Sequence, residues 1–186
     1  SKLCMYERSI SFYEQILQKN PNDGYIKYKL ALLFKTIKNY QKAEKILLEL
    51  YDKGFETEEI APELFFVLTC NRKYKKIITS FNKYSKKLNS SNVLYFVALA
   101  HYELGNKNTA NEFFKKSFNN DEKNILPGIE IAKGLLAKGK KEQARLLALR
   151  LLKYAEDDRI YYLLAEISYS EENIDSAIKV LIITRG

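Results

Sequence analysis

Val93–Phe118, VLYFVALAHYELGNKNTANEFFKKSF, spells two short helices and the turn between them. Leu94, Val97, Ala98 and His101 recur at i, i+3, i+4 and i+7, which is one face of a helix. Gly105 and Asn106 then interrupt the pattern, and Ala110, Phe114 and Ser117 resume it. Two such helices can lie antiparallel with their apolar stripes facing each other. A hairpin this small cannot bury both stripes alone, so the reading requires further copies stacked against it.

The copies are present. The first small residue of each second helix falls at Ser9, Ala43, Ile77, Ala110, Ala144 and Ala177, spaced by 34, 34, 33, 34 and 33. Tyr6, Tyr40 and Tyr74 keep the same step three residues earlier. A period of 34 with helix-turn-helix content resembles the tetratricopeptide repeat family over essentially the whole chain. In that family's pattern, Leu94, Val97, Ala98, His101, Ala110, Phe114 and Ser117 occupy positions 4, 7, 8, 11, 20, 24 and 27. Position 8 reads Ala31, Phe65, Ala98, Ala132 and Ala165, small in four copies because two helix backbones approach closely there.

The resemblance implies an all-α fold, a right-handed α-solenoid of antiparallel helix hairpins forming a tetratricopeptide-like superhelix. On this reading residues 1–186 are a single solenoid and a fragment of a longer array. Residues 1–23 supply the second helix of a partial repeat, stopped by Asn20, Pro21, Asn22 and Asp23. Complete repeats follow near 24–57, 58–90, 91–124, 125–157 and 158–186, giving eleven helices of roughly 12–15 residues. The apolar end at Ile182, Ile183, Thr184, Arg185 and Gly186 lacks the polar cap that a terminal repeat needs. Gly105 and Gly139 are placed at turns needing positive φ, and Pro62 and Pro127 in the first turn of their helices. The third repeat carries Phe65 at position 8 and Ile77 at position 20, so its two helices are expected to stand farther apart than their neighbours.

Composition narrows the function. Apolar residues make up 46% of the chain, enough for a packed core. No stretch approaches the roughly 18–20 apolar residues of a membrane helix, so the chain reads as soluble. Cys4 and Cys70 are far apart and outside any CxxC pair, which suggests free thiols, buried or semi-buried, and favours the reducing cytoplasm. A periplasmic or membrane-tethered full-length protein fits as well. The net charge of +8 comes from 25 Lys and only 6 Arg, a balance unlike that of a phosphate-gripping surface.

No residues converge on catalysis. The single histidine, His101, takes a core-facing position and reads as a packed, hydrogen-bonded imidazole. One His and two distant Cys make no metal set, no glycine loop cradles phosphate, and Glu58, Glu59, Glu171 and Glu172 fall at helix starts or turns. The expectation is a non-enzyme without cofactor, metal or small-molecule substrate.

Two surfaces remain. The resemblance points positions 2, 5, 6, 9, 12 and 13 of each first helix into a concave groove. Among those 30 positions are Tyr25, Tyr28, Phe66, Tyr95, Phe96, Tyr102, Tyr162 and Tyr169, twice the aromatic share of the chain, with Leu99 beside them. Tyrosine gives large contact area at low entropic cost, so a protein or peptide partner is expected there. Tyr95, Phe96, Leu99 and Tyr102 are read as one ridge for which the core supplies no obvious need, and the hot spot is placed on it. Lys29, Lys35, Lys133 and Arg159 against Glu59, Glu63, Glu103, Glu130 and Glu166 give the groove a charge of −1, which disfavours a polyanion. The residues at positions 5 and 9 also cannot assemble the family's carboxylate clamp for chaperone tails: Tyr28 with Leu32, Pro62 with Phe66, Tyr95 with Leu99, Ile129 with Lys133, Tyr162 with Glu166.

The second surface is the helix expected from Lys73 to Leu88. Tyr74, Ile77, Ile78, Phe81, Tyr84 and Leu88 share one side. Lys73, Lys75, Lys76, Lys83, Lys86 and Lys87 share the other, extended by Arg72, and no acid occurs between Glu63 and Glu103. The favoured function is a protein-interaction scaffold holding a helix or extended peptide in the groove. The alternative is an adaptor whose basic helix meets an acidic protein, nucleic acid or an anionic membrane.

Overall fold

The computed structural model describes residues 2–183. Among them are eleven helices and no strand: α1 Lys2–Lys19, α2 Gly24–Thr36, α3 Tyr40–Asp52, α4 Thr57–Cys70, α5 Tyr74–Tyr84, α6 Ser91–Glu103, α7 Lys107–Asn120, α8 Ile125–Ala137, α9 Lys141–Leu152, α10 Asp158–Ser170 and α11 Ile174–Ile183. The chain is all-α. It divides into two compact units, Ser1–Asn89 with Leu99–Gly105, and Ser90–Ala98 with Asn106–Gly186.

In the first unit α2 packs on α1 and α3, α3 on α4, and α4 on α5. The register read from sequence appears as burial: Ala31 and Ala43 are fully buried, and so are Phe65 and Ile77 at the equivalent places of the next hairpin. Tyr51 fills the adjoining space, its ring 6.2 Å from Phe65 and 5.1 Å from Tyr84, while its hydroxyl donates to the Ser80 carbonyl at 2.7 Å. A buried phenol needs such an acceptor, and burial pushes the Tyr51 hydroxyl well above the usual phenol range.

In the second unit, Phe118, Ile125, Ile129, Ala132, Ala144, Ala148, Leu151, Ile160, Leu163, Leu164 and Ile167 make one core. Ala98, Ala110, Ala132 and Ala144 are fully buried, and Ala165 and Ala177 nearly so. The buried Ser117 hydroxyl donates to the Ser91 carbonyl at 2.6 Å, and Asn124 Nδ2 donates to Ser91 Oγ at 2.9 Å, whereas the buried Ser168 hydroxyl has no hydrogen-bond partner among the described residues.

The turns inside the hairpins are closed by left-handed residues. Lys38, Arg72, Gly105, Gly139 and Glu172 have φ of 60°, 56°, 84°, 73° and 60°. In four of these turns the next N–H reaches back to the helix: Asn39 to Phe34 O, Lys73 to Leu68 O, Lys140 to Leu135 O and Asn173 to Ser168 O. This geometry satisfies otherwise orphaned carbonyls at each helix end. Helix starts are capped by Asp23 on Ile26 N and by Asn39 on Lys42 N.

Four expectations need correction. Pro127 is in the first turn of α8, but α4 begins at Thr57, which puts Pro62 in its second turn. The missing donor there falls opposite an exposed Glu58, whose carbonyl water can satisfy. The basic helix ends at Tyr84 rather than Leu88, so Lys86 and Lys87 lie in a turn, and Leu88 is buried from that turn. Helix lengths spread beyond 12–15 residues, with 18 in α1 and 10 in α11. Cys70 is exposed, not semi-buried. The Cys4 side chain and the chain end from Thr184 to Gly186 lie outside the described residues.

Candidate functional site

Five aromatics of the first helices stand exposed: Tyr25 (59%) on α2, Phe66 (37%) on α4, Tyr102 (49%) on α6, and Tyr162 (57%) and Tyr169 (70%) on α10. Folding left these rings in water although each could have contributed apolar burial. Tyr28, Tyr95, Phe96 and Leu99 are half-buried. The nine residues therefore divide into a solvent-facing set and a partly packed set.

On the α2–α4 face, Lys35 pairs with Glu63 and lies 5.7 Å over the Phe66 ring, and the Tyr40 ring lies 6.1 Å from Phe66. Lys29 sits 5.0 Å over Tyr25. The Tyr28 hydroxyl is raised above the usual phenol range by burial first, then by the charges of Glu63 and Glu59. Aromatic rings and carboxylates thus share one surface.

The second unit corrects the ridge. The Tyr95 ring lies 5.6 Å from Phe96 and 5.9 Å from the buried Phe114 of α7. Burial, assisted by the charge of Glu130, pushes the Tyr95 hydroxyl up to about 12. Tyr95 therefore wedges α6 against α7, and the ridge has a structural reason at that end. Tyr102, at the far end of the same helix, does not share it. On α8, Lys133 pairs with Glu130 at 3.0 Å, and on α10 Arg159 grips Asp157 with two nitrogens at 2.8 and 2.7 Å.

His101 is half-buried, and burial lowers its pKa. Among the described residues no three His, Cys, Asp or Glu side chains group to hold a metal ion.

The basic strip looks different in three dimensions. Lys73 Nζ lies 2.7 Å from Glu44 Oε1 and Lys76 Nζ 4.0 Å from it, while Asn71 Nδ2 donates to Glu44 Oε2 at 2.6 Å. Glu44 is buried, so this network joins α3 to the next hairpin. Lys83 reaches Asp52 Oδ1 at 3.1 Å. Three of the seven cations are thus matched by carboxylates of α3, and Arg72, Lys75, Lys86 and Lys87 have no ion-pair partner among the described residues. Sequence reading missed these acids because it searched only within the helix. The signal was available: Lys35–Glu63, Glu44–Lys73, Asp52–Lys83 and Glu122–Arg150 pair at separations of 28, 29, 31 and 28, just short of one repeat.

Comparison with known proteins agrees with this architecture. The sequence profile described as tetratricopeptide repeat protein 21, fourth ARM domain, matches residues 2–65. No curated protein sequence matches the chain. Among solved structures, Pseudomonas aeruginosa PilF superposes with a TM-score of 0.73 at 16% identity, covering 96% of this chain and 82% of its own. PilW, a type IV pilus biogenesis factor, gives 0.75 at 14% identity, covering 94% and 82%. YrrB, a tetratricopeptide protein with an unusual peptide-binding site, gives 0.59 at 15% identity, covering 90% and 88%. By fold the chain is a helical-repeat protein of the tetratricopeptide type. Among the described residues no helix is long and apolar enough to cross a membrane.

Proposed function

We propose that the chain is a non-catalytic binding scaffold that holds a helix or extended peptide of another protein against the aromatic faces of its first helices. The observation that carries this reading is the bias of exposed rings. Of the seven aromatic side chains that stand most exposed, Tyr25, Phe66, Tyr102, Tyr162 and Tyr169 occupy the expected binding positions, and only Phe12 and Tyr154 do not. Exposed aromatics are the usual anchors of protein interfaces. The peptide-binding site of YrrB gives the reading a parallel in a protein of similar fold.

A photo-crosslinking residue placed singly at Phe66, Tyr102 or Tyr162 in the natural host should trap a protein adduct. The same residue at Lys115 or Leu146, exposed on second helices, should not. Adducts confined to the second-helix positions would contradict the proposal. The basic-strip adaptor draws less support, since Glu44 and Asp52 already occupy Lys73, Lys76 and Lys83.

A further inference from the structure

We propose that the face shared by α2 and α4 takes a peptide bearing an arginine or lysine, with the cationic head at Glu59 and a neighbouring apolar side chain against Tyr28 and Phe66. This rests on the peptide-binding reading and specifies its chemistry. The argument is one of charges left over. Both cations on this face are engaged within it, Lys35 by Glu63 and Phe66, and Lys29 by the Tyr25 ring. Glu59 is exposed and has no ion-pair partner among the described residues. Glu59 lines a crevice with the exposed Glu56 and Glu58 and with Gly54, Thr57 and Lys87, so three carboxylates there face one cation.

An acidic peptide would meet an excess of carboxylate over the single Lys87. A guanidinium or ammonium gives Glu59 charge-assisted hydrogen bonds, while the Tyr28 and Phe66 rings offer contact area to an apolar neighbour. Acids in the first turn of α4 also favour the helix dipole, but that role would alter stability and leave binding unchanged.

The test selects peptides from a displayed random dodecapeptide library on the whole chain. A synthetic copy of an enriched sequence is then titrated by fluorescence anisotropy. Enriched sequences should carry Arg or Lys beside an apolar residue. Glu59→Gln should weaken the peptide about three- to tenfold, a loss of about 0.7–1.4 kcal/mol. That loss should not add to the one caused by replacing the peptide's cation with glutamine. Neutral or acidic consensus sequences would overturn the proposal, as would unchanged binding to Glu59→Gln. If such peptides still weaken with Phe66→Leu, the cation assignment falls and the peptide-binding reading stands. If no peptide binds, or none responds to either Phe66→Leu or Tyr25→Ala in variants with wild-type circular dichroism, both fall.

Discussion

Lys38, Arg72 and Glu172 hold a left-handed backbone that Gly105 and Gly139 take in the matching turns. A side chain in that region costs roughly 1–2 kcal/mol, while a glycine there loses more freedom on folding. Each of Lys38→Gly, Arg72→Gly and Glu172→Gly should therefore stabilise the chain by about 0.5 kcal/mol, read as a higher urea midpoint. Gly139→Ala should destabilise it by about 1 kcal/mol. The two glycines were legible in sequence as turn residues. The three charged residues were not, because the conformation is imposed by back-bonds such as Lys73 N–H to Leu68 O, which sequence does not display. His101 supplies a second residue-level test. Burial lowers its folded pKa, so the unfolded chain binds more protons and stability falls as pH drops below the unfolded value near 6.5. His101→Gln should flatten the fall of the urea midpoint below about pH 6.5 relative to wild type; an unchanged slope would contradict a desolvated imidazole.

At the scale of elements, the hairpin register was legible because small residues recur where backbones meet. Ala31, Ala43, Ala98, Ala110, Ala132 and Ala144 are all fully buried. Ala132→Leu should overpack α8 against its neighbours and cost about 1–3 kcal/mol. Phe65→Ala should open a cavity in the α4–α5 hairpin and cost about 3–5 kcal/mol by chemical denaturation. What was not legible depends on how far side chains reach between helices. Tyr95 lies on the binding register, yet its ring meets Phe114 of α7, a contact fixed by helix spacing. Tyr95→Ala should accordingly destabilise the chain by about 1–3 kcal/mol, whereas Tyr102→Ala, at an exposed ring, should leave thermal stability within about 0.5 kcal/mol of wild type. The end of α5 was misjudged for a similar reason: Leu88 continues the apolar side of a helical wheel but buries itself after the helix has stopped.

At the scale of the whole molecule, the charge of +8 is a poor guide to function. Three of the seven cations of the basic strip are matched across repeats, Lys73 and Lys76 on Glu44 and Lys83 on Asp52. The cations on the first-helix positions are likewise engaged, Lys35 with Glu63, Lys133 with Glu130 and Arg159 with Asp157. The proposed function is built on the exposed aromatics of the first helices. The most direct measurement titrates the partner trapped at these positions against the whole chain at several salt concentrations. Tyr102→Ala, Tyr162→Ala and the charge reversal Arg72→Glu with Lys75→Glu are compared in the same series. Loss of a hot-spot aromatic typically costs about 2 kcal/mol or more, so at least one tyrosine variant should bind about tenfold or more weakly. The reversal should have little effect, and affinity should vary gently with salt. A steep loss of affinity with salt, abolished by the reversal and indifferent to both tyrosines, would contradict the account and give the binding role to the basic strip.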